Sequence, residues 1–268
     1  MANKKIRNIA LTGFVLFMAA CATVPITGRK QMNLFPESEM IATSLTQYDT
    51  FLSENKLSAD KAKTAMVKSC GHRIAKAVEE FMNANGMGDR VANFKWEFNL
   101  IDDDTPNAWC MPGGKVVFYT GILPYTKTED GLAVVMGHEI AHAVARHGNE
   151  RMSQQMGMQA LGQGLAIALS EKPAQTQQIW MTAFGVGSNV GVILPFSRAH
   201  ENEADKLGLI FMAMAGYNPS EAVEFWKRMS EIGGQKPPEY LSTHPSDATR
   251  VKNMQEFLPE AMKYYKKR

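Results

Sequence analysis

The sequence predicts an α+β fold that is mostly α-helical, and two observations support this class. Apolar residues recur at three- and four-residue spacing along most of the 268-residue chain, as in amphipathic helices. One region, residues 94–119, instead contains alternating and glycine-bounded extended runs, which indicate a small sheet between helices. A content of 45% apolar and 21% charged residues excludes a disordered or collagen-like chain, and three cysteines are too few for a disulfide-built scaffold.

The N-terminal segment resembles a bacterial lipoprotein signal. A basic start precedes an apolar run over residues 9–20, which is too short to span a bilayer permanently. We therefore predict that residues 1–20 are a cleaved signal peptide and that the new N-terminal Cys21 carries the lipid. Simple secretion, with Cys21 left in the signal, is the alternative. Because Ala22 carries no obvious inner-membrane retention signal, we expect a lipid-anchored protein that faces the periplasm, on the outer membrane rather than the inner one.

The rest of the chain is predicted to form a tether, residues 21–37, and a single folded domain, residues 38–268. Without the signal, 26 basic and 27 acidic residues remain, and this even balance excludes an electrostatic nucleic-acid binder. Cys70 and Cys110 also remain. They either pair in an oxidising compartment or stay as buried thiols, and the sequence leaves both possibilities open.

The elements of the domain follow from the apolar spacing. We predict helices over residues 38–54, 59–85 and 129–152, and strands over residues 94–100 and 115–119. Two further apolar stretches between residues 156 and 196 are separated by a polar turn. For these stretches we predict two packed helices, or a mobile lid, rather than membrane spans.

The third predicted helix contains an H-E-x-x-H motif, GHEIAH at residues 137–142. The directions of side chains four residues apart differ by about 40° around a helix axis. His138 and His142 therefore project from the same face and can bind one zinc ion. Glu139 lies beside that face and can take a proton from zinc-bound water, whose pKa the metal lowers toward about 7. The motif therefore predicts a hydrolytic zinc site.

A catalytic zinc site needs a third protein ligand and an open position. The candidate segment is SRAHENEAD at residues 197–205. Its Glu201 and Asp205 lie four apart on a helix, so one can bind zinc while the other accepts a hydrogen bond from a zinc-bound imidazole. His200 is a rival ligand that the spacing does not exclude.

Four blocks of sequence resemble zinc metallopeptidase family 48. This lineage includes the HtpX heat-shock proteases, the CAAX prenyl protease and the mitochondrial OMA-type protease, and the chain most resembles its periplasmic lipoprotein members. The blocks are NAWCMPGGKV at 107–116, GHEIAH at 137–142, SRAHENEAD at 197–205 and STHPS at 242–246 with Arg250 beyond it. The resemblance implies a zincin-like (gluzincin) fold with a small sheet beside the H-E-x-x-H helix.

The resemblance also implies roles for individual residues. One Zn²⁺ per chain would be bound by His138, His142 and Glu201. The resemblance thus selects Glu201 rather than His200 as the third ligand. Glu139 would be the general base, and Asp205 would support the ligands. His244 would lie over the metal, where it either stabilises the oxyanion or occupies the open position in a resting state.

In zinc peptidases of this shape, a substrate chain can pair as an added strand along a sheet edge. Residues 107–119 are predicted to be that edge, with Asn107, Gly113 and Gly114 binding substrate. A plain structural strand is the alternative.

These inferences predict a zinc endopeptidase that hydrolyses misfolded or misassembled bacterial envelope proteins by attack of zinc-bound water. Its partners would be those unfolded substrates and the bilayer reached through the Cys21 acyl anchor. A periplasmic chaperone or assembly factor with little proteolytic activity is the alternative, although the intact Glu139 favours an enzyme. A zinc-buffering lipoprotein is disfavoured because the sequence has no His or Cys cluster outside the site.

Overall fold

The computed structural model describes residues 21–231, 239–244 and 248–266, so the predicted signal peptide lies outside the described residues. The fold is α+β and mostly helical, as predicted. In chain order the elements are β1 (Cys21–Thr23), β2 (Lys30–Met32), α1 (Glu37–Glu54), α2 (Lys61–Ala84), β3 (Glu97–Ile101), β4 (Ala108–Met111), β5 (Lys115–Tyr119), α3 (Leu123–Thr126), α4 (Glu129–Val144), α5 (His147–Ala168), α6 (Ala174–Ser188), α7 (Leu194–Met214), α8 (Glu221–Glu231), α9 (Glu239–Thr243) and α10 (Ala248–Met262). The described residues also contain short 3₁₀ turns and one π-helical turn, Asn189–Ile193.

The chain divides into two compact units. Among the described residues, one unit contains 21–37 together with 146–197, and the other contains 38–145 and those from 198 to 266. The sequence instead predicts a tether over residues 21–37 and a single domain over residues 38–268, and that division stays a prediction. Residues 146–197 group with the N-terminal segment instead.

The first unit is held together by contacts between the predicted tether and the start of α5. Strands β1 and β2 pair antiparallel. Both terminal nitrogens of Arg29 donate to the buried carboxylate of Glu150 at 2.7 Å, and Asn149 Nδ2 donates to the Phe35 carbonyl at 2.7 Å. A bidentate, partly buried ion pair of this kind is strong and directional. Residues 21–37 are therefore a folded part of this unit rather than a loose tether.

Helices α5 and α6 pair as a hairpin, as the prediction of two packed helices expects, but the second helix begins at Ala174 and residues 189–196 belong to the π turn and the start of α7. A Cβ on Gly162 would lie 3.2 Å from the ring of Phe184, so the two helices pack closely at this point. Gln177 Nε2 closes the turn by donating to the Lys172 carbonyl at 2.8 Å. One helical run in the described part of the chain, Ala174–Met214, is long and apolar enough to cross a membrane.

The second unit contains a three-stranded sheet with strand order β3-β5-β4. Strand β5 is parallel to β3 and antiparallel to β4. The strand over 115–119 is confirmed, whereas the first strand begins at Glu97 rather than residue 94. Because β5 is central, the sheet edge predicted over 107–119 is limited to β4.

The helix predicted over residues 129–152 is two helices. Helix α4 ends at Val144 and α5 begins at His147, because Arg146 between them has a left-handed φ of 61°. A residue in this conformation ends the regular hydrogen-bonding pattern of a helix. The helices predicted over 38–54 and 59–85 are confirmed as α1 and α2, and Asp60 caps α2 by accepting from Lys63 N at 3.0 Å.

Helix α4 lies in the core of the second unit, and 13 of its 16 residues are buried. It crosses α7 at a pair of glycines. A Cβ on Gly137 would lie 2.9 Å from the Gly208 carbonyl oxygen, and a Cβ on Gly208 would lie 2.9 Å from His138 N. Only glycine at both positions permits this approach, which brings the backbone of His138 against α7.

Candidate metal centre

Four predicted side chains converge at one point in the second unit. His138 and His142 project from α4, Glu201 projects from α7, and His244 follows α9. One ligand atom from each of the four lies within 4.8 Å of the others. His200 is also buried on α7 but is not a member of this group.

The spacing of these atoms matches the requirements of a zinc ion. His138 Nε2 lies 3.1 Å from His142 Nε2, 3.1 Å from His244 Nδ1 and 3.3 Å from Glu201 Oε2. Glu201 Oε1 lies 3.4 Å from His142 Nε2. Ligands about 2.0–2.2 Å from zinc in a tetrahedron are separated by about 3.3–3.6 Å, and imidazole and carboxylate are ligands that zinc prefers. The residues present therefore fit Zn²⁺.

Glu139 is buried beside this group without belonging to it. Its Oε1 has no hydrogen-bond partner among the described residues, and His244 Nε2 lies 3.6 Å from it. A buried carboxylate oxygen without a donor is costly unless a ligand or water satisfies it. The arrangement places a proton acceptor where a bound water or substrate would meet the metal ligands.

Asp205 and Arg250 hold the first histidine in place. Asp205 Oδ1 lies 2.9 Å from His138 Nδ1, which directs the other ring nitrogen toward Glu201. Arg250 donates to both oxygens of Asp205, at 2.6 and 2.7 Å, and its Nη1 lies 3.0 Å from Glu201 Oε2. Asp205 therefore lies behind a candidate ligand, in contact with His138 rather than in the ligand group.

The charges of this cluster stabilise one another. Burial raises the pKa of Asp205, but the Arg250 guanidinium and His138 together outweigh burial and lower it. Burial and Arg250 lower the pKa of His138, but its hydrogen bonds to Asp205 and Glu201 raise it to about 9. Burial likewise raises the pKa of Glu201, and its histidine neighbours hold it well below the usual range. The carboxylates therefore stay ionised and face the centre as anions, which favours a bound cation.

An aromatic wall behind the ligands was missed by the sequence reasoning. The Arg250 guanidinium lies 3.7 Å from the centroid of the Trp226 ring, and that ring stacks on Tyr240 at 5.9 Å. Tyr240 in turn lies 4.8 Å from the His244 ring. Arg250 was noted only as the end of the fourth block. Trp226 and Tyr240 carry no motif, because isolated aromatic residues in helices look like ordinary core residues.

Asn107, Gly113 and Gly114, which the sequence predicts to bind substrate, form hydrogen bonds and a turn within the fold. Asn107 Oδ1 accepts from Ala108 N at 2.9 Å. The two glycines form the turn after β4 with φ of 90° and 83°, and their carbonyls accept from the backbone of β3 and the residues before it. Their carbonyl oxygens are thus occupied within the fold.

Strand β4 is the sheet edge nearest to the candidate base. No described strand pairs with β4 on the side away from β5. Burial raises the pKa of Cys110 on this strand well above its usual value, and the charge of Glu139 raises it further. Cys110 is therefore a neutral thiol beside Glu139, and it is not joined to Cys70 by a disulfide.

Comparison with known proteins gives one family and several relatives. Residues 69–258 match the model of peptidase family M48. The chain is 34% identical over 262 residues to mitochondrial metalloendopeptidase OMA1 of Schizosaccharomyces pombe, covering 93% of this chain and 70% of that protein. It is 36% identical over 179 residues to the Saccharomyces cerevisiae protein of the same name, covering 64% and 49%. It is 28% identical over 238 residues to the beta-barrel assembly-enhancing protease of Yersinia pestis, covering 87% and 44%. The chain thus spans about half or less of the last two relatives.

Proposed function

Because the chain belongs to peptidase family M48 and is a metalloendopeptidase of zincin-like fold, we propose that it hydrolyses misfolded or misassembled proteins of the bacterial cell envelope. One Zn²⁺ per chain would be held by His138, His142 and Glu201. The observation that carries this proposal is the convergence of these ligand atoms beside Glu139, whose buried oxygen no described donor satisfies.

Each residue around the proposed metal centre would have a separate role in hydrolysis. Bound Zn²⁺ supplies a Lewis acid that polarises the scissile carbonyl and lowers the pKa of water. The Glu139 carboxylate accepts a proton from the attacking water and then donates it to the leaving amine, so no covalent enzyme intermediate is needed. Asp205 keeps the proton of His138 on Nδ1, and Arg250 keeps Asp205 ionised and oriented.

His244 has two roles that this geometry permits. Its Nδ1 lies 3.0 Å from Glu201 Oε2, within the ligand group, so it can act as a fourth ligand in a resting state. Its Nε2 faces Glu139 at 3.6 Å, so a rotated ring can instead donate to the developing oxyanion.

An unfolded substrate would bind along the unpaired edge of β4. An extended peptide can add to this edge through backbone hydrogen bonds, which do not depend on the peptide's side chains. Folded proteins rarely expose an unpaired strand, whereas misfolded and unassembled chains do. This mode of binding favours misfolded chains over native ones.

The envelope assignment rests on two further observations. The N-terminal segment has the order of a lipoprotein signal ending at Cys21, and one relative is named a beta-barrel assembly-enhancing protease. We propose a lipid-anchored protein facing the periplasm, on the outer membrane. Its substrates would include unfolded outer-membrane proteins.

The proposed metal centre predicts about one zinc per purified chain. His142→Ala should lose most of that zinc, measured by elemental analysis after dialysis, and should also stop cleavage of a urea-unfolded outer-membrane protein. His72→Ala is the matched control, because His72 is an exposed helical histidine outside the ligand group and should keep its zinc. Full zinc occupancy in His138→Ala, His142→Ala and Glu201→Ala alike would remove the proposed site.

The proposed anchor predicts that Cys21→Ala blocks lipid attachment. Lipid attachment to this residue requires its side-chain thiol, which alanine lacks, so the variant should accumulate as the unprocessed chain without an acyl mass. The measurement is the intact mass of the purified protein, with Cys110→Ala as the control that should be processed normally. An acylated, processed Cys21→Ala chain would show that the signal was misinterpreted.

A further inference from the structure

Two buried side-chain oxygens beside the candidate metal centre have no hydrogen-bond partner among the described residues. One is Glu139 Oε1, and the other is the hydroxyl oxygen of Tyr240. Tyr240 is 0% exposed and Glu139 is 3% exposed, so bulk water reaches neither side chain. Because proteins satisfy nearly all of their buried polar groups, a buried hydroxyl that bonds to nothing in the fold requires an explanation.

Both residues border the ring of His244. Tyr240 and His244 lie four residues apart at α9 and share one face, since His244 N donates to the Tyr240 carbonyl at 2.9 Å as in a helical turn. Their ring centroids lie 4.8 Å apart, and Glu139 Oε1 lies 3.6 Å from His244 Nε2. Burial raises the pKa of Tyr240 well above its usual value, and the charge of Glu139 raises it further. Tyr240 is therefore a neutral phenol close to the candidate base.

The rest of Tyr240 is held in place without its hydroxyl. Its ring stacks on Trp226 with 19° between the ring planes, and its backbone N donates to the Pro106 carbonyl at 3.3 Å. Neither contact involves the phenolic oxygen, so phenylalanine would pack at this position equally well. A buried hydroxyl that the fold does not bond lowers stability. Its presence is explained if the hydroxyl acts in the reaction.

We propose that Tyr240 is a positioning residue whose hydroxyl donates a hydrogen bond to the Glu139 carboxylate, directly or through one water, and holds that carboxylate toward the metal ligands. The two unsatisfied oxygens are complementary, because a phenol has a proton to donate and an ionised carboxylate can only accept. A hydrogen bond to a charged acceptor is stronger than one between neutral groups, so it fixes the orientation of the carboxylate. The inference rests on the proposed role of Glu139 as general base, and Tyr240 acts through that residue rather than on the substrate.

Tyr240→Phe removes only the hydroxyl and tests this role. The substrate is a fluorogenic peptide that spans a cleavage site mapped in an unfolded outer-membrane protein. We expect the kcat of the zinc-loaded, full-length protein to fall about tenfold or more while KM stays within about twofold, because the lost hydrogen bond acts on the base and not on substrate binding. The zinc content should be unchanged. The urea midpoint of unfolding should not fall, because the hydroxyl bonds to no described residue.

Tyr217→Phe is the matched control. Tyr217 is also buried, at 1% exposure, but its ring lies 4.4 Å from the Arg73 guanidinium and it does not belong to the ligand group. The same chemical change there should leave kcat unaltered. If Tyr240→Phe lowered the unfolding midpoint or raised KM while kcat stayed intact, Tyr240 would be a packing residue and the proposal would be overturned.

A double-mutant cycle with Glu139→Gln tests whether Tyr240 acts through the base. Once residue 139 cannot accept a proton, its orientation no longer matters, so adding Tyr240→Phe should change the residual rate, measured above a His142→Ala blank, by less than about twofold. Losses that multiply would overturn the positioning role and assign the hydroxyl to the developing oxyanion. A wild-type rate for Tyr240→Phe beside a slow Glu139→Gln overturns this inference alone, whereas a fast Glu139→Gln overturns the proposed function.

Discussion

Glu139→Gln should reduce peptide hydrolysis by at least about 10²-fold while zinc binding and substrate capture persist. Glutamine keeps the size of glutamate but cannot accept the proton of the attacking water. Glu139 lies outside the ligand group, so the metal should remain. The measurements are the rate of cleavage of an unfolded outer-membrane protein, the zinc content, and the amount of substrate retained by the immobilised variant.

Glu129→Gln is the control for this substitution. Glu129 is an exposed glutamate at the start of the same helix, so the same chemical change there should leave the rate unaltered. His142→Ala serves as the blank for contaminating proteases. If Glu139→Gln cleaved as fast as wild type above that blank, the peptidase mechanism would be wrong and the chaperone alternative would replace it.

Arg250→Met should destabilise the second unit by about 3–5 kcal/mol, the usual cost of breaking a buried ion pair. Arg250 is 6% exposed and donates to both oxygens of Asp205, so its loss leaves a buried carboxylate without its guanidinium partner and with only the His138 contact among the described residues. Methionine preserves much of the contact with the Trp226 ring. The free energy of unfolding is measured by far-UV circular dichroism in urea, with a chelator present so that metal affinity does not contribute.

The double variant Arg250→Met, Asp205→Asn tests the cause of this loss. If the buried Asp205 charge left without its guanidinium partner is responsible, neutralising Asp205 should recover a large part of the stability. Lys227→Met is the surface control, because Lys227 pairs with Glu224 at 2.9 Å in an exposed position and such pairs contribute little. An Arg250→Met variant as stable as Lys227→Met would contradict a stabilising role for the Asp205 pair.

The local parts of the site were predictable because short-range geometry determines them. The spacing of His138 and His142 places both on one face of any helix, and Glu139 necessarily follows. Across a longer sequence separation, the residues alone offered Glu201 or Asp205 as the third ligand and did not exclude His200, and only the family resemblance selected Glu201. The contacts of Arg250 with Asp205 and Trp226 join helices far apart in sequence, so no local pattern could reveal them.

The same distinction applies to the fold. Helices α1 and α2 follow from apolar periodicity, but the break at Arg146 has no signal, because arginine seldom adopts a left-handed φ. The folding of residues 21–37 depends on the ion pair between Arg29 and Glu150, which are 121 residues apart. Interactions of that range appear only once the chain is folded.

The glycine pair where α4 crosses α7 has an entropic consequence for metal binding. Because Gly137 and Gly208 bring the two backbones into contact, main-chain packing sets the positions from which His138 and Glu201 project. The conformational freedom of these ligands is therefore lost when the unit folds, before any ion arrives. The metal therefore binds ligand side chains that are already preorganised, and binding orders them little further. A methyl group at either glycine would separate the helices and transfer that ordering cost to the binding step, so affinity would fall although every ligand is retained.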